Sequence, residues 1–323
     1  MKIAIVLDPL PSIKTYKDST FVMMVEAARR GHSIHVCEQH DLSLLAGKVS
    51  ASLRRLHLTG DPDDWYRLDE PVMQPLEAFD AVLNRKDPPV DMEYVYTTFL
   101  LERAQAAGAR VFNDPAAVRS HNEKLAITEF PQFTATTLVT RSAAQLRAFV
   151  EEHGEAVFKL LDGMGGASIF RASRGDPNLS VIIETMNRFG ERSVMAQRYL
   201  PEIRDGDKRV LLIGGRVVPY CLARIPQAGE SRGNLAAGGT GRAQPVSADD
   251  LRIAEPLAPL LHARGLLLVG LDVIGSCLTE INVTSPTCFQ EIMQQTGCDV
   301  AGLFIDALEQ AAGAPHWPPG AAA

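Results

Sequence analysis

The sequence predicts a protein of mixed α/β and α+β class, with a parallel α/β domain, a small central domain and a C-terminal domain built on an antiparallel sheet. Three observations lead to this prediction. Apolar runs alternate with helical-period segments in the first third, short strands flank a glycine cluster in the middle, and longer hairpin-like runs fill the last third. A length of 323 residues also suggests two or three domains.

The first third is expected to form a largely parallel sheet covered by helices, because its strands and helices alternate. Asp18-Ser19 can cap the first helix, and Gly31 can end it. Ligands of such sheets bind beyond the carboxyl ends of the strands, where Asp8, Arg85 and Asn113-Asp114 stand. We predict strands at residues 2–7, 33–37, 79–84 and 110–113, and helices at 18–31 and 91–107.

The middle of the chain is predicted to be a small α+β domain around the glycine-rich loop "LDGMGGASIF", residues 161–170. A helix is expected to open this part, from Asp114 through Phe130. We predict strands near 135–139, 156–161 and 167–171, and helices at 142–153 and 178–189.

The last third is predicted to contain two hairpins, with turns at Gly214-Gly215 and Gly275-Ser276. Helices are expected near 247–264 and 298–312. The tail "GAPHWPPGAAA" is rich in proline, glycine and alanine, and we expect it to be disordered.

Composition excludes several classes of protein. A net charge of -7 argues against a general nucleic-acid binder, and no apolar stretch approaches the ~20 residues of a membrane helix. The five cysteines show no C-x-x-C spacing, which indicates reduced thiols rather than a zinc site. H-E-x-x-H and G-x-S-x-G are absent. The N-terminal apolar run is too short for a signal peptide, so we expect a cytoplasmic protein.

The segment "LDVIGSCLTEIN" carries three candidate metal ligands. Glu280 and Asn282 are two apart on a strand and share one face, and carboxylate and amide oxygens suit Mg²⁺. A two-residue turn alone would pair Asp272 with Thr279, whereas an odd loop or a bulge would pair it with Glu280. The alternative is a solvated strand face with ordinary polar residues.

The glycine loop reads as a phosphate loop, although it matches neither common phosphate-binding motif. Lys124 and Lys159 could supply the cations that a triphosphate needs. For a single lysine a solvated surface charge is the alternative, but Lys159 stands inside the apolar strand "AVFKLL".

Four arginines could bind a substrate with more than one carboxylate, because guanidinium groups bind carboxylates with two hydrogen bonds. Scattered surface ion pairs are the alternative. The long stretch 225–241 contains five glycines and is typical of a mobile lid. The arginines are Arg85, Arg209, Arg224 and Arg232.

Several long segments occur in an order that closely resembles bacterial glutathione synthetases of the ATP-grasp superfamily. The resemblance covers about residues 1 to 312. Its segments are "KIAIVLDP", "KDST", "NRKDPP", "NEKL", "KLLDGMGGASIFR", "MAQRYLPEIRDGDKRVL", "PYCLARIPQAGESRGNLAAGG" and "VGLDVIG…LTEINVTSPT". Leu160 departs from the family pattern, which often has proline after the lysine.

The resemblance implies roles for individual residues. Nucleotide-binding residues would be Lys124, Lys159, Asp162, Gly163, Met164, Gly165, Gly166, Gln197, Tyr199, Leu200 and Asp207. Residues around the peptide and acyl phosphate would be Asp18, Ser19, Arg85, Arg209, Arg224, Arg232, Gly239 and Ser285, with Arg209, Arg224 and Arg232 as the catalytic arginines. Metal ligands would be Asp272, Glu280 and Asn282, holding two Mg²⁺ ions, with Mn²⁺ as a substitute.

The resemblance also implies the reaction and the architecture. ATP would phosphorylate γ-glutamylcysteine, and glycine would attack the acyl phosphate to give glutathione, ADP and phosphate. The ATP-grasp fold would comprise an N-terminal domain (1–122), a central lid domain (123–200), a C-terminal catalytic domain (201–314) and a disordered tail (315–323). A homotetramer is expected, with no nucleic-acid or membrane partner.

Two kinds of rival function remain open at this point. Another ATP-grasp carboxylate–amine ligase, such as a D-alanine or glutamate-adding ligase, would share the glycine loop and the metal strand. A nucleotide-binding module without turnover would be expected to lack a metal ligand, yet Asp272, Glu280 and Asn282 are all present.

Overall fold

The structure, a computed structural model, describes residues 1–61, 63–227, 233, 235, 238–315 and 317–318. Its N-terminal part is a sheet of eight strands with helices packed against it. The strands are β1 (Lys2–Val6), β2 (Ser33–Cys37), β3 (Leu42–Leu45), β4 (Lys48–Leu58), β5 (Tyr66–Leu68), β6 (Val72–Pro75), β7 (Ala81–Asn84) and β8 (Val111–Phe112). The helices are α1 (Ser19–Arg29), α2 (Met92–Ala106) and α3 (Pro115–Ser120).

The predicted parallel strands form the core of this sheet. Strands β2, β1, β7 and β8 are neighbours in that order, and all three pairings are parallel. Strands β3 to β6, which the sequence analysis did not assign, extend the sheet with antiparallel pairings through β4. The expected cap of α1 is confirmed, because Asp18 Oδ1 accepts a hydrogen bond from the Phe21 amide at 2.8 Å.

The single helix predicted from Asp114 through Phe130 is wrong. Helix α3 ends at Ser120, and a separate short 3-10 helix spans Leu125–Glu129. The side chain of Asn122 accepts hydrogen bonds from the amides of Lys124 and Leu125. In a continuous helix those amides would bond to backbone carbonyls of the preceding turn, so the Asn122 side chain ends the helix and starts a new turn.

The central part is a four-stranded antiparallel sheet with two helices. Its strands follow the order β11-β10-β12-β9, so β10 lies in the middle and carries Lys159. The elements are β9 (Thr137–Thr140), α4 (Ala143–His153), β10 (Glu155–Leu160), β11 (Phe170–Ser173), α5 (Leu179–Asn187) and β12 (Val194–Arg198).

The C-terminal part is a five-stranded antiparallel sheet, as predicted, in the order β15-β14-β13-β16-β17. Both predicted hairpin turns are present between paired strands. Helix α7 was not predicted. The elements are β13 (Asp207–Ile213), β14 (Arg216–Ile225), β15 (Thr240–Pro245), α6 (Ala248–Ala263), β16 (Leu268–Ile274), β17 (Cys277–Asn282), α7 (Phe289–Thr296) and α8 (Val300–Gly313).

The start of the tail is not disordered, in contrast to the expectation. The Trp317 ring packs against Phe112 at a centroid distance of 4.8 Å, and its Nε1 donates to the Val111 carbonyl at 3.0 Å. The packing of this large aromatic ring and the hydrogen bond of its N–H stabilise the start of the tail, although the surrounding composition favours disorder. Residues 316 and 319–323 lie outside the described residues.

Among the described residues, no helix is long and apolar enough to cross a membrane. All five cysteines are free, and Cys37, Cys221 and Cys288 are buried.

Candidate functional site

The hairpin of β16 and β17 contains the bulge that the metal-ligand hypothesis requires. Ile274 pairs with Cys277 across a two-residue turn, but the register then shifts by one residue. Thr279 is the extra residue, and its hydroxyl donates to the Asp272 carbonyl at 3.1 Å. The prediction that Asp272 lies opposite Glu280 is therefore confirmed.

Two arginines from neighbouring strands hold the carboxylate of Asp272. Arg209 on β13 pairs directly with Asp272, and its Nε lies 2.5 Å from Oδ1. Arg224 on β14 places Nη2 at 2.9 Å from Oδ2. Burial alone would raise the pKa of Asp272, but these two charges hold it well below its ordinary value. Asp272 is only 2% exposed, which excludes the solvated strand face.

Asp207 adds a second carboxylate to this buried cluster. Its Oδ2 accepts a hydrogen bond from Arg224 Nη2 at 2.5 Å. Burial raises the pKa of Asp207 to about 6, despite the nearby Arg224 charge. Its Oδ1 is buried with no hydrogen-bond partner among the described residues. A buried acceptor of this kind is costly unless a ligand donates to it.

Glu280 faces both predicted lysines. Lys124 Nζ lies 3.6 Å and Lys159 Nζ 3.8 Å from Glu280 Oε1. The lysines are 4% and 7% exposed, so neither is a solvated surface charge. They come from different parts of the chain and converge on one carboxylate.

Asp272, Glu280 and Asn282 supply the kind of oxygen donor that Mg²⁺ takes, and their role as metal ligands stays a prediction. Asn282 Nδ2 donates to the Gly270 carbonyl at 3.1 Å, which identifies Oδ1 as the oxygen that remains for a ligand. Within the described ranges, no three His, Cys, Asp or Glu side chains form a metal cluster. Two carboxylates and one amide match the way proteins hold Mg²⁺, since phosphate oxygens and water complete its shell.

The glycine loop is a tight turn that borders the cluster. Gly165 and Gly166 have φ angles of 59° and 81°, which a side chain would disfavour. Lys124 Nζ donates to the Gly163 carbonyl at 2.6 Å and ties the loop to the preceding segment. Asp162 forms an ion pair with Arg192, a residue that the sequence analysis did not single out.

Three adjoining cavities surround these residues. The first, here called the apolar cavity, is bordered by Ala135, Val157, Ile169, Leu200, Ile203 and Ile274, and also by Lys159, Gln197, Tyr199 and Asp207. The second, the charged cavity, has a volume of about 200 Å³ and is bordered by the loop Gly163–Gly165, Arg209, Arg224, Asn282, Ser285 and Cys288. Asp272 and Glu280 border both, so the two cavities meet at the predicted metal site.

The third cavity, here called the side cavity, measures about 100 Å³ and opens beside the glycine loop. Lys124, Asp162 and Gly163 border it. Pro88, Glu123, Gly163 and Thr284 border both the side cavity and the charged cavity. A small molecule in the side cavity would therefore lie next to the charged groups.

The predicted N-terminal substrate residues contact protein groups and do not border these cavities. Asp18 caps α1, and Ser19 Oγ accepts from the Phe289 amide at 3.2 Å. Arg85 is buried and donates to Thr20 Oγ1 at 3.1 Å and to the Pro286 carbonyl at 3.0 Å. They hold the N-terminal domain against the segment that follows β17, so their substrate role stays a prediction.

The remaining predicted residues are of three kinds. Ser285 borders the charged cavity, and its hydroxyl donates to Asp87. Gly239 is half-buried directly before β15. Arg232 and seven other residues of the expected lid 225–241 lie outside the described residues; together these are 228–232, 234 and 236–237.

Sequence reasoning missed Glu123 and Asp87 as site residues. Both border the charged cavity, and both stand inside segments already noted, "NEKL" and "NRKDPP". The available signal was a carboxylate in a segment that also holds a candidate cation.

Two family models match most of the chain. Residues 1–119 match the prokaryotic glutathione synthetase N-terminal domain, and residues 123–297 match its ATP-grasp domain. The chain is 62% identical over 313 residues to a glutathione synthetase of Ralstonia nicotianae, covering 97% of each chain. It is 58% identical to a glutathione synthetase of Nitrosomonas europaea, covering 96% of this chain and 98% of the relative.

A solved structure shares the fold at low identity. The crystal structure of D-cycloserine synthetase DcsG superposes with a TM-score of 0.64 at 17% identity, covering 96% of this chain and 100% of the other. This likeness concerns the fold alone.

Proposed function

This chain belongs to the prokaryotic glutathione synthetase family, and on that premise we propose how its three cavities serve the reaction. The protein is an ATP-dependent ligase that joins γ-glutamylcysteine and glycine into glutathione. One observation carries the assignment: two arginines, two lysines and three oxygen-bearing side chains meet where the apolar and charged cavities join.

ATP binds with its adenine in the apolar cavity and its phosphates toward the glycine loop. The apolar lining and the segment Gln197–Leu200 support this orientation. The unpartnered Oδ1 of Asp207 supports a hydrogen bond from a ribose hydroxyl. Lys124 and Lys159 bind phosphate oxygens, and the loop 162–166 supplies backbone N–H groups.

Asp272, Glu280 and Asn282 hold Mg²⁺ in this proposal. Bound Mg²⁺ neutralises phosphate charge and orients the terminal phosphoryl group. A second ion and replacement by Mn²⁺ are part of the proposal, and the two carboxylates with an adjacent amide oxygen support at least one ion.

The chemistry requires positioning and charge stabilisation rather than a protein nucleophile. A carboxylate oxygen of γ-glutamylcysteine attacks the terminal phosphorus, and the phosphorus–oxygen bond to ADP breaks. The glycine ammonium loses a proton to solvent, and its neutral nitrogen attacks the acyl carbon. The carbon–oxygen bond to phosphate breaks, phosphate leaves with the electron pair, and the nitrogen releases its second proton to the leaving phosphate. Arg209 and Arg224 stabilise the negative charge of the acyl phosphate, while Arg232 and the 225–241 segment cover it.

The proposal also covers the domain boundaries, the oligomeric state, the cellular location and the role of the N-terminal residues. Domain boundaries at 1–122, 123–200 and 201–314 are supported by one separate sheet in each range. We retain the homotetramer and the cytoplasmic location as predictions. Asp18, Ser19 and Arg85 are proposed to hold the wall of the peptide site.

The test is ADP release by the purified protein with Mg-ATP, γ-glutamylcysteine and glycine, omitting each in turn. We expect ADP only when all are present, with an equal amount of glutathione. ADP formation only with a different acid or amine would mean that the protein is a ligase for that other substrate. ATP binding without any turnover would favour a non-catalytic module.

A further inference from the structure

Glu123 is a carboxylate that borders the charged cavity and to which no role has yet been assigned. Its Oε1 accepts hydrogen bonds from the Thr284 hydroxyl at 2.9 Å, the Val283 amide at 3.2 Å and the Thr284 amide at 3.4 Å. Its own carbonyl accepts from the Ile281 amide at 2.9 Å. These contacts fix the side chain against the end of β17.

The other oxygen of Glu123, Oε2, has no hydrogen bond within the part of the chain that the structure describes. Glu123 borders both the charged cavity and the side cavity, so it lies on their common boundary. A carboxylate fixed on one side and open on the other is suited to binding a ligand.

The other carboxylates of the charged cavity already have partners. Asp272 pairs with Arg209 and Arg224, Glu280 faces two lysines, and Asp87 accepts from Ser285. Within the described residues, Glu123 forms no ion pair with a basic side chain. Burial raises the pKa of Glu123, and the nearby Glu280 charge raises it further, whereas the Thr284 hydrogen bonds and the Lys124 charge lower it. A cationic ligand group at the open oxygen would stabilise the ionised carboxylate.

The reaction brings two ammonium groups to the site, and location distinguishes them. The α-ammonium of γ-glutamylcysteine is at the end of the dipeptide remote from the reacting carboxylate. Glycine must approach the reacting carbon beside the transferred phosphate. Glu123 precedes Lys124 and shares the cavity boundary with Gly163 of the phosphate loop, so it is near the reacting end.

We propose that Glu123 binds the ammonium group of glycine, and that the side cavity is the route by which the amine substrate reaches the acyl phosphate. This inference rests on the proposed function and names the amine subsite within it. Glu123 lowers the KM for glycine without acting on the first half-reaction. The volume of about 100 Å³ suits a small amino acid.

The test is the kinetics of Glu123→Gln, which keeps the size of the side chain and removes its charge. A charge-assisted hydrogen bond is worth about 1.5–3 kcal/mol, so we expect the KM for glycine to rise about 10- to 100-fold. The KM values for ATP and γ-glutamylcysteine should stay within about twofold. Glu129→Gln, a carboxylate that pairs with Arg264 outside the cavities, is the matched control and should keep the wild-type KM for glycine.

Hydroxylamine separates amine binding from the earlier phosphoryl transfer. It is largely uncharged at neutral pH and traps acyl phosphates as hydroxamates. We expect Glu123→Gln to form hydroxamate at the wild-type rate while its use of glycine is impaired. An equal loss with both nucleophiles would overturn the proposal, and so would an unchanged KM for glycine.

A changed Mg²⁺ requirement in Glu123→Gln would also decide against the proposal, because it would identify Glu123 as a metal ligand. If Glu123→Gln does not fold, Thr284→Val and Thr284→Ser replace it: Thr284→Val removes the hydroxyl that bonds Glu123 and should raise the KM for glycine, whereas Thr284→Ser keeps that hydroxyl and should leave the KM near the wild-type value. An unchanged KM for glycine in Thr284→Val would then overturn the proposal. Absence of turnover by the wild-type protein would instead contradict the proposed function.

Discussion

At the scale of single residues, the site consists of charges that fix one another. Asp272 is held by two arginines, and Arg224 also binds Asp207. Removing one partner from such a buried cluster leaves the others uncompensated, which typically costs about 3–5 kcal/mol. These ion pairs hold Arg209 and Arg224 in one orientation, as their proposed role in stabilising the acyl phosphate requires.

Glu280→Gln tests the metal site, because the Glu280 carboxylate lies at the cavity edge with its side chain 18% exposed. Loss of one anionic ligand should lower kcat about 100-fold or more, since the amide binds Mg²⁺ weakly. Steady-state rates across a Mg²⁺ titration provide the measurement. Glu255→Gln, an exposed carboxylate on α6, should retain wild-type rates. Normal activity of Glu280→Gln would show that Glu280 is not a metal ligand.

At the scale of secondary-structure elements, the bulge in β17 sets the geometry of the site, and the contact between α1 and α8 connects distant parts of the chain. The bulge at Thr279 rotates Glu280 onto the side of the sheet where Asp272 and Arg209 lie. Helix α1 packs on α8 through Arg30, the residue that follows α1, which forms ion pairs with Glu26, Asp306 and Glu309. These contacts join the first helix of the chain to the last.

Glu26 should make the α1–α8 contact sensitive to acid. Its hydrogen bonds with Arg29, together with those from Arg30, lower its pKa from 4.5 to about 2. Because the folded pKa is depressed, Glu26 stabilises the protein above about pH 4.5, and that contribution is lost as the pH falls toward 2.

The free energy of unfolding of Glu26→Gln, measured by urea denaturation between pH 7 and pH 3, should show this loss. The variant should be less stable than wild type at pH 7, and the difference should shrink as the pH falls below about 4.5. Glu184→Gln on α5 should show no such convergence. A difference independent of pH would mean that the depressed pKa does not contribute to stability.

At the scale of the whole molecule, a few polar bridges connect the sheets that surround the site. Asn113, at the end of β8, donates to the carbonyls of Leu268 and Val283 at 2.8 and 2.9 Å. Its Oδ1 accepts from the Leu268 amide at 2.9 Å. One side chain thus joins the N-terminal sheet to the start of β16 and to Val283, the residue that follows β17.

Asn113→Ala should lower the free energy of unfolding by about 2–4 kcal/mol, because three hydrogen bonds are lost and their backbone partners stay buried. Denaturant unfolding gives the value, and Asn178→Ala, an exposed residue before α5, should change it by less than about 0.5 kcal/mol. A loss as small as that of the control would show that these bridges do not stabilise the fold.

Much of the architecture followed from local patterns. The β-α alternation, the cap at Asp18 and the turns at Gly214-Gly215 and Gly275-Ser276 are properties of short segments, and the structure contains them. The break at Asn122 was missed because a side-chain hydrogen bond competes with the helix there. Strands β3 to β6 were missed because their pairings all depend on β4.

The sequence by itself determined the fold class, the family and the residue types of the site, because periodicity, turn chemistry and motif order are local and cumulative. Only the tertiary structure decided that Lys124 and Lys159 converge on Glu280, and that Asp18 and Arg85 bind protein groups. It also placed Glu123 on the boundary between the charged cavity and the side cavity. Convergence of this kind depends on register and packing between distant segments, which no local pattern encodes.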